Sequence, residues 1–213
     1  TFENFDRAPF LASAPVPTGG SIVLGDVNTG SFSAAAGTTL TTGNMVSSAG
    51  IGLGAGGAIT TGNLTAGDFV LANGGSITTG TIGASSVDMT STGGNITTSH
   101  ILASGAVKMD AFSNIQSGNI NGGSIALLAK GPVGISTSAL TAAGNIGLMR
   151  PANITTADIS AGGTFIALAH GNMSFGNATA SEVFLADFAL VAPGGGSAIT
   201  ANCVGTCGTL GAD

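Results

Sequence analysis

Charge is scarce in this chain. Of its 213 residues only 7% are charged, Lys and Arg together number 4, and Trp and Tyr are absent. A phosphate backbone is neutralised by clustered basic side chains, and with so few of them nucleic acid is not an expected partner. No apolar run approaches the ~18 residues of a membrane-spanning helix, so no membrane span is expected. Stretches of 3.6-residue hydrophobic periodicity are also missing, which excludes long amphipathic helices. A chain that opens at Thr1 rather than Met is expected to be a processed mature form or an excised fragment.

What is present is apolar material cut into short pieces. Hydrophobic residues make up 43% of the chain, mean hydropathy is +0.50, and Gly numbers 37. Disordered tracts share the low charge and the abundant Gly, Ser and Thr, but they are poor in the Ile, Leu, Val and Phe found here. Isolated apolar residues between Gly, Ser, Thr and Asn favour short strands and frequent turns. The formal charge is −6. An all-β fold follows.

The pieces recur. ITTGNLTAG at Ile59 is echoed by ITTGTIGAS at Ile77, ITTSHILAS at Ile96, IQSGNINGG at Ile115 and ITTADISAG at Ile154. Aligning them places Leu40, Ile59, Ile77, Ile96, Ile115, Ile135, Ile154 and Met173 in one register, at separations of 19, 18, 19, 19, 20, 19 and 19 residues. Five residues on comes a second set: Met45, Leu64, Ile82, Ile101, Ile120, Leu140, Ile159 and Ala178. A third set is an alternating pair, among them Val87 with Met89, Val107 with Met109 and Ile125 with Leu127. A period near 20 residues with three apolar clusters marks a solenoid, in which no coil buries its own apolar residues and stacking buries them all. The expectation is a right-handed parallel β-helix, three-sided, with about 19 residues per coil. About eight coils over residues 20–190, stacked at ~4.8 Å, make a rod roughly 40 Å long.

The style of Asn95–Met109, Asn114–Leu127 and Asn153–Leu168, NIT-TG-NLTAGG-x-I-x-L, resembles the shafts of filamentous-haemagglutinin-like adhesins, secreted bacterial proteins of two-partner secretion systems. The resemblance spans about residues 20–190. It implies a right-handed β-helix outside the cell, secreted or at the bacterial surface, with a glycan or cell-surface receptor as partner. The NPNL and NPNG motifs of that family's secretion domain are absent, which leaves the export route open and fits a shaft fragment or a separate fibre subunit.

The ends depart from the repeat. Residues 1–19 carry Pro9, Pro15 and Pro17, which favour an extended tail, together with Phe2, Phe5, Phe10 and Leu11. Two roles stay open for it: a cap over the first coil, or a segment packing on a neighbouring molecule. The open sheet edges of a solenoid must be covered, and head-to-tail pairing through the tail builds a filament. In the Gly-rich segment 191–213, Cys203 and Cys207 are expected to form a disulfide closing a small loop, in keeping with an oxidising location. A zinc half-site there lacks two more ligands, since His100 and His170 lie in distant coils.

Catalysis by a carbohydrate-active β-helix needs carboxylates close together. The register places Asp68 and Glu182 at one coil position but six coils apart, and Asp88 opposite Lys108, where an exposed ion pair is expected. No enzymatic activity, metal or cofactor is expected. Lys130, Arg150 and His170 recur at intervals of 20 in the turn after the third apolar cluster, as a basic edge for an anionic ligand or as solvated turn residues. Thr60, Thr78, Thr97 and Thr155 form an outward column continued by Thr41, Gln116, Ser136 and Ser174. An ice-binding surface wants two uninterrupted Thr columns, so a polar ladder between coils is the preferred expectation. Five sequons, at Asn63, Asn95, Asn153, Asn172 and Asn177, fall where the repeat already supplies Asn and Thr.

Overall fold

The structure is a computed structural model that describes residues 19–149 and 152–187, and residues 199–210 as a strand at the level of the backbone. Every regular element in it is a strand, and all the strands join one parallel sheet that winds on itself. One turn shows the pattern. Ile96–Thr98, Ile101–Ala103 and Ala106–Ala111 form three consecutive walls of a coil. Each pairs in parallel with its counterpart one coil later, Ile115–Ser117, Ile120–Gly122 and Ser124–Ala129. These walls are called the first, second and third face below.

The stack follows from side-chain chemistry. β-branched Ile suits a pleated strand, and alternation along a strand sends Ile inward and its neighbour outward. Parallel pairing then sets Ile77 against Ile96, Ile96 against Ile115 and Ile115 against Ile135, all of them fully buried. The second column runs Leu64, Ile82, Ile101, Ile120 and Leu140 in the same manner. The third stacks Val87 and Met89 on Val107 and Met109, then on Ile125 and Leu127. Burying each such side chain contributes about 1.5–3 kcal/mol relative to exposure. Phe165 and Phe175 close the core toward the last described coils, edge to face with centroids 5.4 Å apart.

The described stack is longer than the sequence register at both ends. Ile22 pairs with Leu40 ahead of the first expected rung, and Ile199 pairs with Met173 after the last. The segment 191–213 therefore contributes one more coil, Ile199–Leu210, rather than lying wholly outside the solenoid. Nine rises from Ile22 to Ile199 at ~4.8 Å give a rod roughly 45 Å long. Inward residues of the first coil, Ile22, Val27, Phe32 and Ala34, are only partly buried, whereas Leu40, Met45, Ile51 and Leu53 one coil on are at most 1% exposed.

Candidate functional site

The corner between the first and second faces holds a ladder of side-chain acceptors. The backbone N–H of Asn44 donates to Asp26 Oδ1 at 2.7 Å, that of Asn63 to Asn44 Oδ1 at 2.9 Å, and that of Thr81 to Asn63 Oδ1 at 2.8 Å. Thr81 offers no such acceptor, and the ladder resumes at His100, whose Nδ1 accepts from Asn119 N–H at 3.0 Å. Asn119 Oδ1 accepts from Ala139 N–H, and Asp158 Oδ1 from Asn177 N–H at 2.8 Å. Corner amides lie outside the strand ladders and need partners, which these side chains supply. Asp26, His100 and Asp158 are thus engaged in holding coils together. A second ladder, at the corner leading into the first face, sends Asn114 N–H to Asn95 Oδ1 at 3.2 Å and Asn172 N–H to Asn153 Oδ1 at 3.0 Å. The carbonyls of the sequon residues Asn63, Asn95 and Asn153 are acceptors in these ladders.

Glycine is required by space before five of the ladder positions, at Gly43, Gly62, Gly80, Gly118 and Gly176, whereas Ser99, Ser138 and Ala157 hold that place before His100, Ala139 and Asp158. A Cβ on Gly62 would stand 2.7 Å from Asn44 Oδ1, and one on Gly118 would stand 2.6 Å from His100 Nδ1. Positive φ occurs among the described glycines only at Gly19, Gly20 and Gly134, so these corners do not use glycine for its backbone freedom. The recurrent TTGN phrase reads physically as an inward Ile, an outward Thr, an inward Thr, a glycine that clears the ladder below, and the next rung of it.

The second hydroxyl of the phrase is the one that was not anticipated. Thr42, Thr61, Thr79, Thr98, Ser117, Thr137 and Thr156 form a buried polar column inside the rod. Thr98 Oγ1 and Ser117 Oγ share a hydrogen bond of 2.7 Å, and Thr156 Oγ1 donates to Ser138 O at 2.9 Å. The outward column keeps the expected register, Thr60 on Thr78 on Thr97 on Gln116. Side-chain hydrogen bonds between coils are made by the corner ladders and, in the inward column, by Thr98 and Thr156, while Thr42, Thr61, Thr79 and Thr137 donate to the carbonyl of the next residue in their own coil. First-face strands such as Ile115–Ser117 and Ile154–Thr156 are buried, exposed, buried, leaving one outward position per coil, so two Thr columns do not lie side by side there.

Charge collects on the outer surface of the third face. Asp88 lies opposite Lys108 with Nζ–Oδ2 at 3.8 Å, the ion pair expected from the register. Lys130 pairs with Asp110, Nζ–Oδ1 at 3.1 Å, so it is not a bare basic edge. Asp110 Oδ1 makes no well-angled hydrogen bond, and its contact with Lys130 is Coulombic. Side chains this exposed contribute about 0–1 kcal/mol per pair. Arg150 lies outside the described residues, and His170 sits exposed in the turn after Ala169 and has a partner of its own. Asp68 does not share a column with Glu182: Ser86 stands opposite Phe69, and Glu182 opposite Thr164, which places Glu182 in the Phe69 column and Asp68 one position earlier. The shift arises because the corner before Phe69 and the corner before Glu182 differ by one residue.

A shallow, open notch of about 390 Å³ lies on the second face. It exists because Gly83 stands between Thr65 and Leu102 and leaves a side-chain space empty; its lining carries no titratable group. No cluster of three metal-ligating side chains occurs among the described residues. The tail residues Phe2, Phe5, Phe10 and Leu11 lie outside the described residues. Backbone register sets Cys203 opposite Ala178 and Cys207 opposite Val183; their side chains, and hence the disulfide, lie outside what is described. Comparison with protein-family models, curated proteins and solved structures finds no match to this chain.

Proposed function

We propose that this chain is a non-enzymatic shaft or fibre segment of an adhesin-like assembly on the outside of a bacterial cell. One observation carries the reading: inward columns of like residues run unbroken from Leu40 to Met173, with corner amides tied coil to coil by side-chain acceptors. Such a stack spends its sequence on length and stiffness. The resemblance of the repeats to filamentous-haemagglutinin-like shafts supplies the extracellular placement, where a rod holds other modules, or its own surface, away from the cell and toward a glycan or receptor. Immunogold labelling of intact cells of the source organism tests it. Label on the outer surface, on protruding fibres, is expected; label confined to the cytoplasm of sectioned cells would sink the proposal.

A second reading makes the chain a filament subunit joined end to end. The partly buried Ile22, Val27, Phe32 and Ala34 at the first coil favour it, since apolar residues at a sheet end gain from a cover. Electron microscopy of the purified chain is expected to show filaments in that case, and deletion of residues 1–19 to abolish them. Filaments that survive the deletion remove the tail from the joint.

A further inference from the structure

The first coil ends the described stack on an open edge. Its third-face strand, Phe32–Ala36, pairs among the described residues only with Ile51–Ala55 one coil on. Phe32 N–H donates to Gly50 O at 3.1 Å, toward that second coil. Alternation along a strand therefore turns the backbone N–H and C=O of Ser33 and Ala35 toward the open end. Phe32 and Ala34 face inward but are only partly buried, whereas Ile51 and Leu53 are fully so. Such an edge is a template for one more strand.

Residues 1–18 lie outside the described residues and join the stack at this end. Within them PFLASAP, residues 9–15, sets five residues between two prolines. Phe10, Ala12 and Ala14 repeat the inward positions of two third-face strands. One is Phe32, Ala34 and Ala36 of the first coil; the other is Phe165, Ala167 and Ala169, all three fully buried. Leu11 falls where Ile166 does in the second of these.

The connection onward has the right character. In the described coils a third-face strand turns a corner into the first face of the next coil. That step takes four positions from Ala36 to Leu40 and six from Ala129 to Ile135. From Ala14 to Ile22 it takes eight, enough for a wider corner of the same kind. The six-position corner holds Pro132 and Gly134, at φ 91°; the eight-position one holds Pro15, Pro17, Gly19 at φ 114° and Gly20 at φ 109°. Positive φ among the described glycines is thus confined to this corner of the coil, where glycine lets a long connection turn.

The prolines keep the same register. With Phe10 set against Phe32, the N–H groups of Phe10, Ala12 and Ala14 point to the first coil, and positions 9, 11, 13 and 15 point away from it. Pro9 and Pro15 therefore forfeit no bond to the stack and present no donor beyond it, the way proline is accommodated on an edge strand.

We propose that residues 10–14 form the terminal rung of the third face, paired in parallel with Phe32–Ala36 of the same chain. Phe10 lies over Phe32, Ala12 over Ala34 and Ala14 over Ala36. The rung closes this wall within one chain. It competes with a joint made by the tail of a neighbouring copy, and it holds whether or not the rod is an adhesin shaft.

Amide hydrogen exchange followed by nuclear magnetic resonance tests it. The Ser33 and Ala35 amides are expected to exchange at least ~10-fold more slowly in the full chain than in one lacking residues 1–14, and a chain lacking only residues 1–9 to keep that protection. The Ile77 amide, bonded to Asn95 O, is expected to be unchanged in all of them. Ala12→Asp, which turns a charge inward, is expected to remove the protection, and Leu11→Asp, outward in this register, to leave it. Should the longer deletion unfold the first coil, these two point variants decide. Protection is expected to be constant across about a 50-fold range of protein concentration. Equal exchange with and without residues 1–14, or equal effects of the two aspartates, overturns the proposal. So does protection that grows with concentration, which would give the edge to the tail of another copy.

Discussion

Gly62 and Gly83 look alike in the sequence and differ in what surrounds them. At Gly62 a Cβ would press on Asn44 Oδ1 and on backbone that cannot yield, whereas nothing lies within 4 Å of one at Gly83. Gly62→Ala is therefore expected to lower stability by about 1–3 kcal/mol in urea denaturation. Gly83→Ala is expected to be neutral or to raise stability by about 0.4–1 kcal/mol, because the alanine restricts the unfolded chain. Equal effects at the two sites would refute the steric account of the corners. His100 carries a similar contrast. Its Nδ1 accepts the Asn119 amide, so His100→Ala is expected to cost about 1 kcal/mol, and His100→Asn, which puts back the acceptor used at Asn44 and Asn63, to recover most of it. The pattern TTGN was plain in the sequence. The reason for its glycine was not, because that reason is an oxygen belonging to the previous coil.

At the level of the strand, each first-face element carries two inward residues of opposite character. Ile96 and Thr98 are both buried, one on the Ile column and the other bonded to Ser117. Ile96→Ala is expected to cost about 2–5 kcal/mol, since the rigid neighbours above and below cannot close the cavity. In a solenoid the loss propagates to nearest neighbours, so amide exchange is expected to quicken most in the coils starting at Ile77, Ile96 and Ile115. Thr98→Val orphans the Ser117 hydroxyl and is expected to cost about 1–2 kcal/mol, while Thr98→Val with Ser117→Ala together is expected to be close to neutral. If the double variant is as unstable as the sum of the singles, the hydroxyl pair is not coupled. The alternation of Ile with polar residues showed which positions face inward on the second and third faces. It failed for the second Thr of the first face, because a buried Thr and an exposed one have the same composition signal.

At the scale of the whole rod, stability comes from aliphatic columns and amide ladders and almost none of it from charge. The described ion pairs are Asp88 with Lys108 and Asp110 with Lys130, both partly exposed. Raising sodium chloride from low to molar concentration is expected to shift the melting midpoint by less than about 3 °C, beyond any general salting effect measured on a Lys108→Ala, Lys130→Ala control. A larger difference between wild type and control would mean that the pairs matter more than their exposure allows. Small-angle scattering of dilute protein is expected to show an elongated particle with a stacked core roughly 45 Å long. The outward apolar strip of the third face, which includes Leu128, Ile166 and Leu168, was hidden in segments such as SIALLA and TFIALA, because the repeat register picked out the inward residues, Ile125 and Leu127 among them, and gave no weight to the apolar residues between and beside them.

The sequence by itself determined the fold class, the coil length and the three inward columns, because a repeated register can bury isolated Ile and Leu only by stacking like on like. It also foretold the pairing of Asp88 with Lys108, since residues one period apart become neighbours. Tertiary structure alone decided which corner atoms serve as acceptors, where glycine is compulsory, that Asp110 claims Lys130, and where outward apolar side chains line one outer wall. Those facts depend on distances between successive coils and on the side of the sheet to which each residue is turned, and a period counts residues without measuring either.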